Sequence, residues 1–423
     1  MKRQEITEVL VAGAGPIGML TALQLAEQGV RVKIIDRAEG TAAHGYVCAL
    51  HRRALKCLER VHLDGDLMRL GRRIDTVAFY QGNRRQTEIR FQSGPNELPY
   101  VLALPQHLLE GVLEAALLKR ASLPIQWGHR LAALKANEHQ VAAEVYELEM
   151  TSKGYSVPHL DQVVRRSCGV EASFLVGADG AESVVRQQLG IENRPHGESS
   201  LFAVFDFKHS GTLPDEMRVV LDDALTSCLW PLPNQTARWL FQLPGQPTPE
   251  EHLAKDREPV LLDDEDDPHG APQMLRRLIR ERAPWFETAV REILWHRTVG
   301  FEPRLVEKFG HGRCWLAGGA AHQSCPVGMQ SVNVGLSEAS QLADILLAIL
   351  RQGMPMSRLD EYERSRQSEW QQLLGLAGEP QPRPQIDPWV RQRRGRFLSC
   401  LPASREDLKP MTDQLALDFA TLG

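Results

Sequence analysis

No run of eighteen apolar residues occurs in this 423-residue chain, so its sequence offers no membrane span. Charge of neither sign dominates. Forty-nine Lys and Arg stand against 54 Asp and Glu, a formal balance of −5, and no basic stripe recommends nucleic acid. The 7 cysteines fall singly with no C-x-x-C spacing, which argues against a zinc site or a disulfide framework and for reduced thiols in a cytoplasmic protein. Internal repeats and low-complexity tracts are also lacking. What remains, 43% hydrophobic and 24% charged, is the composition of a globular protein long enough for two or three cores. Lys2 and Arg3 ahead of an apolar run imitate a signal peptide, but Glu5 and Glu8 interrupt the charge and the run reads as a first strand.

That run, VLVAGAGPIGMLTALQLAEQGVRVKIID, orders an apolar strand, a glycine turn, a helix, a second strand and a terminal carboxylate. Gly13 suits the tight turn, Gly15 a close approach of backbone N–H groups to a pyrophosphate, and Gly18 close packing of helix on sheet. Pro16 and Ile17 open the helix, and Asp36 falls where a ribose hydroxyl would sit. Two later segments repeat the strand–loop–helix order. In FLVGADGAESVVRQQLG, Asp179 and Gly180 follow the strand and Arg186 rides the helix. In CWLAGGAAHQSCPVGMQSVNVGLSEASQLADILLAIL, a Pro-Gly loop leads to a helix whose Leu336, Ala339, Ala343, Leu346 and Leu350 recur at helical spacing. Three such units suit a long dinucleotide, FAD, better than a nicotinamide dinucleotide held by one.

Together these three segments resemble the FAD-dependent monooxygenases of the p-hydroxybenzoate hydroxylase type, the single-component aromatic hydroxylases, from about residue 7 to about residue 350. The resemblance implies an α/β fold: a Rossmann-like FAD-binding domain, a β-sheet substrate domain and C-terminal helices. It implies FAD, with NADPH or NADH as co-substrate, O₂ activation as a flavin C4a-hydroperoxide, and hydroxylation or epoxidation of an aromatic or polyketide-like small molecule. Asp179 and Gly180 match the family's middle motif, and Gln106 matches a Gln that reaches the flavin. Pro326, Gly328 and Asn333 match the third motif, which places the loop from Pro326 through Met329, Gln330 and Ser331 at the cofactor.

The departures are specific. The family's Gly-Asp, whose acid holds the ribityl chain, is Gly318-Gly319 here. Its Gly-Gly-Gln-Gly is Gly328-Met329-Gln330-Ser331, and its later Asp-Ala is Glu338-Ala339. The Arg expected after the second strand has His44 or Tyr46 in its place, with Arg37 or Arg53 as substitute cations. His44 is also the one candidate for a covalent flavin tether. His322 reads as a structural hydrogen-bonding residue. Tyr80, Tyr100, Trp230 and Trp239 read as core, and neither catalytic residues nor metal ligands are assigned.

The implied FAD-binding domain is discontinuous, 1–70, 100–195 and 300–350. Residues 71–99 and 196–300 form the substrate-binding β-sheet domain, because TVAFYQ, TEIRFQS, SLFAVFDFK, EMRVVLD, TSCLWPLP and ARWLFQLP read as strands. Residues 351–423 form a C-terminal helical region, with an amphipathic helix over 357–376, a linker at GEPQPRPQIDP, and Ser404 capping a helix that includes Asp407. The acidic stretch LLDDEDDPHGAP reads as a solvated loop, its carboxylates lacking EF-hand spacing. Longer family members carry a thioredoxin-like domain, which this chain is expected to be too short to hold. A monomer or homodimer is expected. Other readings are a flavoprotein dehydrogenase or reductase of the same fold, and a non-catalytic flavin-fold binding protein.

Overall fold

A computed structural model describes residues 4–41, 47–92, 98–153, 159–245 and 270–419. His44, Tyr46 and most of the acidic stretch lie outside them. At the centre is a five-stranded sheet in which Val32–Ile35, Val9–Ala12, Phe174–Gly177 and Cys314–Leu316 run parallel in that spatial order, with the short Gly310–His311 antiparallel at the edge. Three of these strands come from the three glycine-containing motifs. Their apolar runs are continuous rather than alternating because both faces are covered: Val9, Leu10, Val11, Leu175 and Val176 have no exposed surface. Parallel pairing brings all four carboxyl ends to one edge, where open α/β sheets bind ligands.

Helix Pro16–Glu27 leaves the first strand through Gly13, whose φ of +103° only glycine adopts without strain. A Cβ on Gly18 would lie 1.9 Å from the Gly13 carbonyl oxygen, so this glycine sets how close the helix sits to its own turn. The helix packs on Gln106–Ala121 and on the long helix Gln330–Gln352. In the latter, Leu336, Ala339, Ala343 and Leu346 are buried and Leu350 half-buried, following the helical repeat. It is long and apolar enough to cross a bilayer, yet 67% of its apolar window is buried inside the protein, as a core helix would be.

The strand-like runs of the two middle segments all enter one seven-stranded sheet, from Val290–Phe301 at one edge to Arg84–Arg90 at the other. Period-two alternation divides its side chains. Val77, Phe79, Val204, Met217, Val219 and Trp230 join the large core shared with the dinucleotide half, while Tyr80, Phe205, Trp239 and Phe241 lie on the opposite face with Leu275 and Leu278 of helix Gly270–Arg282. Tyr80 and Trp239 are thereby core residues remote from the cofactor edge.

A further sheet joins Gln4–Ile6, His159–Ala172, Val141–Lys153 and His129–Ala136. It was not foreseen, although buried Val141, Ala143 and Val145 alternate in the long strand. The C-terminal region departs from expectation in two places. The Pro-rich linker is docked, because Gln381–Pro382 pairs with Leu417–Asp418 and the Arg383 Nε donates to Asp418 at 3.0 Å. Ser404 makes no side-chain cap; its hydroxyl accepts from Arg53 at 3.2 Å instead, and helix Leu408–Gln414 begins after Asp407. The Arg53 guanidinium, held mainly by buried Glu369 at 2.8 Å, outcompetes the local cap. The amphipathic helix is present as Arg358–Leu373.

Candidate functional site

The carboxyl ends of the central strands enclose a cleft. Its walls include Gly13, Gly15, Pro16 and Ile17 of the first turn, Asp36 and Arg37 after the second strand, Asp179 and Gly180 of the middle motif, and Gly319 of the third. Nine residues singled out in the sequence thus share one cavity. Gly18 acts behind it, through packing alone. Arg53, the alternative cation, points to Glu369 instead.

Helix Pro16–Glu27 starts at the cleft with Gly15 as its N-cap, no side-chain cap and no acid in its first turn. Its first N–H groups therefore face the cavity with the positive end of the helix dipole, the donor set a pyrophosphate requires. The Asp36 carboxylate accepts from Ala14 N at 2.6 Å and Ala38 N at 2.8 Å, fixing the turn between those N–H groups and the second strand.

Asp179 is saturated within the protein. It accepts from the Ser183 hydroxyl at 2.5 Å and from Val184 N and Val185 N at 2.8 and 3.2 Å, capping helix Val184–Gln188. Burial pushes its carboxyl up against the pull of these hydrogen bonds. The capped helix carries Arg186, whose guanidinium donates to Ala181 O at 2.8 Å and Ala320 O at 2.9 Å. One side chain therefore ties the middle-motif turn to the third-motif turn. Gly319 sits between them: a Cβ there would be 3.5 Å from Gly180 Cα, an ordinary contact.

Sequence reasoning missed the network behind the third motif. Glu338, with no exposed surface, accepts from Gly318 N at 2.8 Å, His322 Nε2 at 2.9 Å and Trp370 Nε1 at 2.9 Å, and His322 stacks on Trp370 with ring centroids 3.9 Å apart. Burial raises the Glu338 carboxyl, but the His322 imidazole, the Arg366 guanidinium and the Gly318 N–H outweigh it and leave the carboxyl below its usual range. The signal was present as the Glu in the family's Asp position, though its partner Trp370 lies on another helix.

The loop from Pro326 to Ser331 lies outside that cleft, at the face turned to the seven-stranded sheet. Met329, where the family has glycine, takes the left-handed conformation at φ +52°, ψ 31° and begins helix Gln330–Gln352, which has neither side-chain cap nor acid in its first turn. Ser331, the second replaced glycine, turns its hydroxyl back to accept from Ser324 N at 3.1 Å and to meet the Ser324 hydroxyl at 2.7 Å. Asn333 donates to Ala49 O and Met329 O, both at 2.7 Å, and accepts from His51 N at 2.7 Å. Val327 O accepts from Trp230 Nε1 at 3.3 Å, and Gly328 O from His51 Nε2 at 3.0 Å. Gln106 is bonded to Glu110 at 2.9 Å on its own helix.

His51, also unforeseen, is buried, and burial lowers its imidazole to about 3 against the opposing bond to Gly328 O. It therefore folds neutral and must be protonated in the unfolded chain below about pH 6.5. The linkage favours folding above that pH and is lost as pH falls towards 3, by on the order of 1 kcal/mol per pH unit from this group. His51→Asn should flatten the stability-versus-pH curve between pH 6 and pH 4 in urea titrations, and an unaltered slope would remove His51 as its source.

Comparison with known proteins bears on this arrangement. A family model described as "FAD binding domain" matches residues 6–377. The 6-methylpretetramide 4-monooxygenase of Streptomyces rimosus is 30% identical over 367 residues, 85% of this chain and 59% of that protein, so the chain spans about three-fifths of this relative's length. Para-nitrophenol 4-monooxygenase of Pseudomonas sp. (strain WBC-3) is 25% identical over 366 residues, covering 85% of this chain and 82% of the relative. Among solved structures, p-nitrophenol 4-monooxygenase PnpA from Pseudomonas putida DLL-E4 superposes with a TM-score of 0.71 at 21% identity over 97% of each chain. A ternary complex of aklavinone-11 hydroxylase with FAD and aklavinone gives 0.65 at 22% identity over 89% of this chain and 68% of the other. At such identities the superpositions speak to fold alone.

Proposed function

Because this chain belongs to the FAD-binding-domain family of the aromatic-hydroxylase type, we propose that it is an FAD-dependent monooxygenase using NADPH or NADH to hydroxylate or epoxidise an aromatic or polyketide-like small molecule. The observation that carries the reading is the convergence of three strand ends on one cleft facing an uncapped helix N-terminus. Bound FAD would supply hydride acceptance from the nicotinamide and activation of O₂. The net reaction consumes substrate, O₂, NAD(P)H and a proton, and yields oxygenated product, NAD(P)⁺ and water.

The chain's own residues have positional tasks. The N–H groups after Gly15 take the pyrophosphate, and Asp36 keeps their turn in place. Arg186 ties the turns of Ala181 and Ala320, whose neighbours Gly180 and Gly319 line the cleft that would hold the cofactor. The uncapped start of helix Gln330–Gln352 presents N–H groups and partial positive charge to an electron-rich ring. The sheet face bearing Trp230, Met217 and Val219, none of which has exposed surface, backs the loop as packed core and would keep water from behind the site of an aromatic substrate. The relatives' printed substrates, 6-methylpretetramide and para-nitrophenol, support that class.

NADPH and NADH oxidation by the purified, FAD-supplemented protein, with and without phenols and polycyclic aromatics, tests this reading. Substrate-stimulated oxidation with oxygenated product is expected, and oxidation that no aromatic stimulates would contradict it.

Gly319 yields a separate prediction. The space beside it admits a side chain without backbone clash, so Gly319→Asp should add one charge-assisted hydrogen bond to a cofactor hydroxyl. Such a bond contributes roughly 1.5–3 kcal/mol, so FAD should bind about ten-fold tighter or better by flavin fluorescence titration. Equal or weaker binding would show that position 319 does not face the cofactor.

A further inference from the structure

The loop that begins helix Gln330–Gln352 is gripped from a direction no sequence motif announces. The short turn Leu398–Cys400 ends beside it, and its carbonyls reach across to the loop, Leu398 O in addition to its bond from Leu401 N within the turn. Ser399 O accepts from Gly328 N at 3.0 Å, and the Gln330 side-chain amide, on a residue 1% exposed, donates to Leu398 O at 2.9 Å and Leu401 O at 3.2 Å. The fit is close at Gly328, where a Cβ would lie 2.7 Å from Leu401 O and 2.9 Å from Ser399 O. The missing side chain makes room for the C-terminal turn.

That turn is itself anchored to the seven-stranded sheet. Arg393 Nε donates to Leu221 O at 3.2 Å and Arg396 to the Thr226 hydroxyl at 2.9 Å, while Phe397 meets Phe79 edge-on at 4.8 Å. The loop is thus held from three sides: by Trp230 at Val327 O, by His51 at Gly328 O, and by the C-terminal turn at Gly328 N and Gln330. Only the third hold is made by a segment that follows the whole dinucleotide half in sequence.

We propose that the Leu398–Leu401 turn is a positioning element for the cofactor loop, and that Gln330 is the positioning residue coupling the two. The Gln330 side-chain amide is turned to the C-terminal turn, donating to Leu398 O and Leu401 O. It fixes the first turn of the helix whose uncapped N–H groups would face the flavin ring, so a loop held in place would bind the ring without first being ordered. By thermodynamic reciprocity, a ring bound at the loop must in turn stabilise the C-terminal turn. The inference rests on the FAD reading, and its test separates the two.

ADP shares with FAD only the half that enters the Gly13–Asp36 cleft. Calorimetric titration of wild type, Gln330→Leu and Gly328→Ala with FAD and with ADP should show FAD weakened about ten-fold or more in each variant and ADP changed less than two-fold. Trypsin cleavage after Arg396 should be slowed by FAD but not by ADP in wild type, with that protection lost in Gln330→Leu. Gly328→Ala keeps the amide and displaces the turn sterically, so it reports independently should Gln330→Leu fold poorly. FAD and ADP weakening together, FAD affinity unchanged, or cleavage indifferent to FAD would each overturn the proposal. A wild-type protein that takes up no FAD would sink the functional reading as well, whereas normal uptake by wild type and variants alike would sink the positioning role only.

Discussion

Asp179→Ala is expected to weaken FAD binding by roughly ten- to a thousand-fold, equivalent to about 1.4–4 kcal/mol. The sequence places this acid in the cavity, and the structure adds what the carboxylate does there: it accepts from Ser183, Val184 and Val185 and so caps helix Val184–Gln188. Losing a cap of this kind costs about 0.5–2 kcal/mol, and buried N–H groups left without a partner cost about 1–3 kcal/mol more. The loss travels further because the helix carries Arg186, which holds both Ala181 O and Ala320 O. Two of the three turns at the cleft then lose their common tie. Asp179→Asn keeps one acceptor oxygen and should fall between wild type and Ala. Fluorescence titration of the three proteins reads the order directly, and equal FAD affinity for wild type and Ala would refute the role.

Glu338→Ala should lower the unfolding free energy by about 3–5 kcal/mol, the usual cost of removing one member of a buried, hydrogen-bonded charged set. Gly318 N, the Trp370 indole and the His322 ring would all lose their acceptor inside a site with no access to water. Glu338→Gln should cost less, since its carbonyl oxygen satisfies some of these donors, yet its amide must face another donor. Because the carboxyl is held below its usual range in the folded state, its contribution is present above about pH 4.3 and disappears as pH falls through the folded value. Urea unfolding at neutral pH is the check, and a loss under about 1 kcal/mol for Glu338→Ala would mean that the network is not what holds the third-motif turn.

The parts of the fold legible in the sequence are those in which a local pattern and a tertiary role coincide. Val9–Ala12, Phe174–Gly177 and Cys314–Leu316 are continuous apolar runs because both sheet faces are covered, and each gives way to a glycine within three residues, at the carboxyl edge where α/β sheets bind ligands. The seven-stranded sheet was readable for a similar reason: in TVAFYQ the two-residue alternation sends Val77 and Phe79 to one core and Ala78 and Tyr80 to the other.

Contacts between distant loops leave no such period. Nothing in LSCL announces that its carbonyls meet Gln330, some seventy positions earlier, and nothing around His51 marks it as the partner of Gly328 O. The glycine replacements show the same limit from the other side. Met329 adopts a left-handed backbone that its residue type disfavours, and Ser331 is accommodated by a hydroxyl bond to Ser324. Ser404 fails as a cap because Arg53, far away in sequence, claims its hydroxyl.

The most direct test of the account is a stoichiometric one. Titrating the purified protein with FAD, followed by acid precipitation and measurement of flavin in the supernatant, asks whether the three converging turns form a single noncovalent FAD site. About one FAD per chain, fully released by acid, is the result the account predicts; no uptake of FAD, or a yellow precipitate that keeps its flavin, would contradict it.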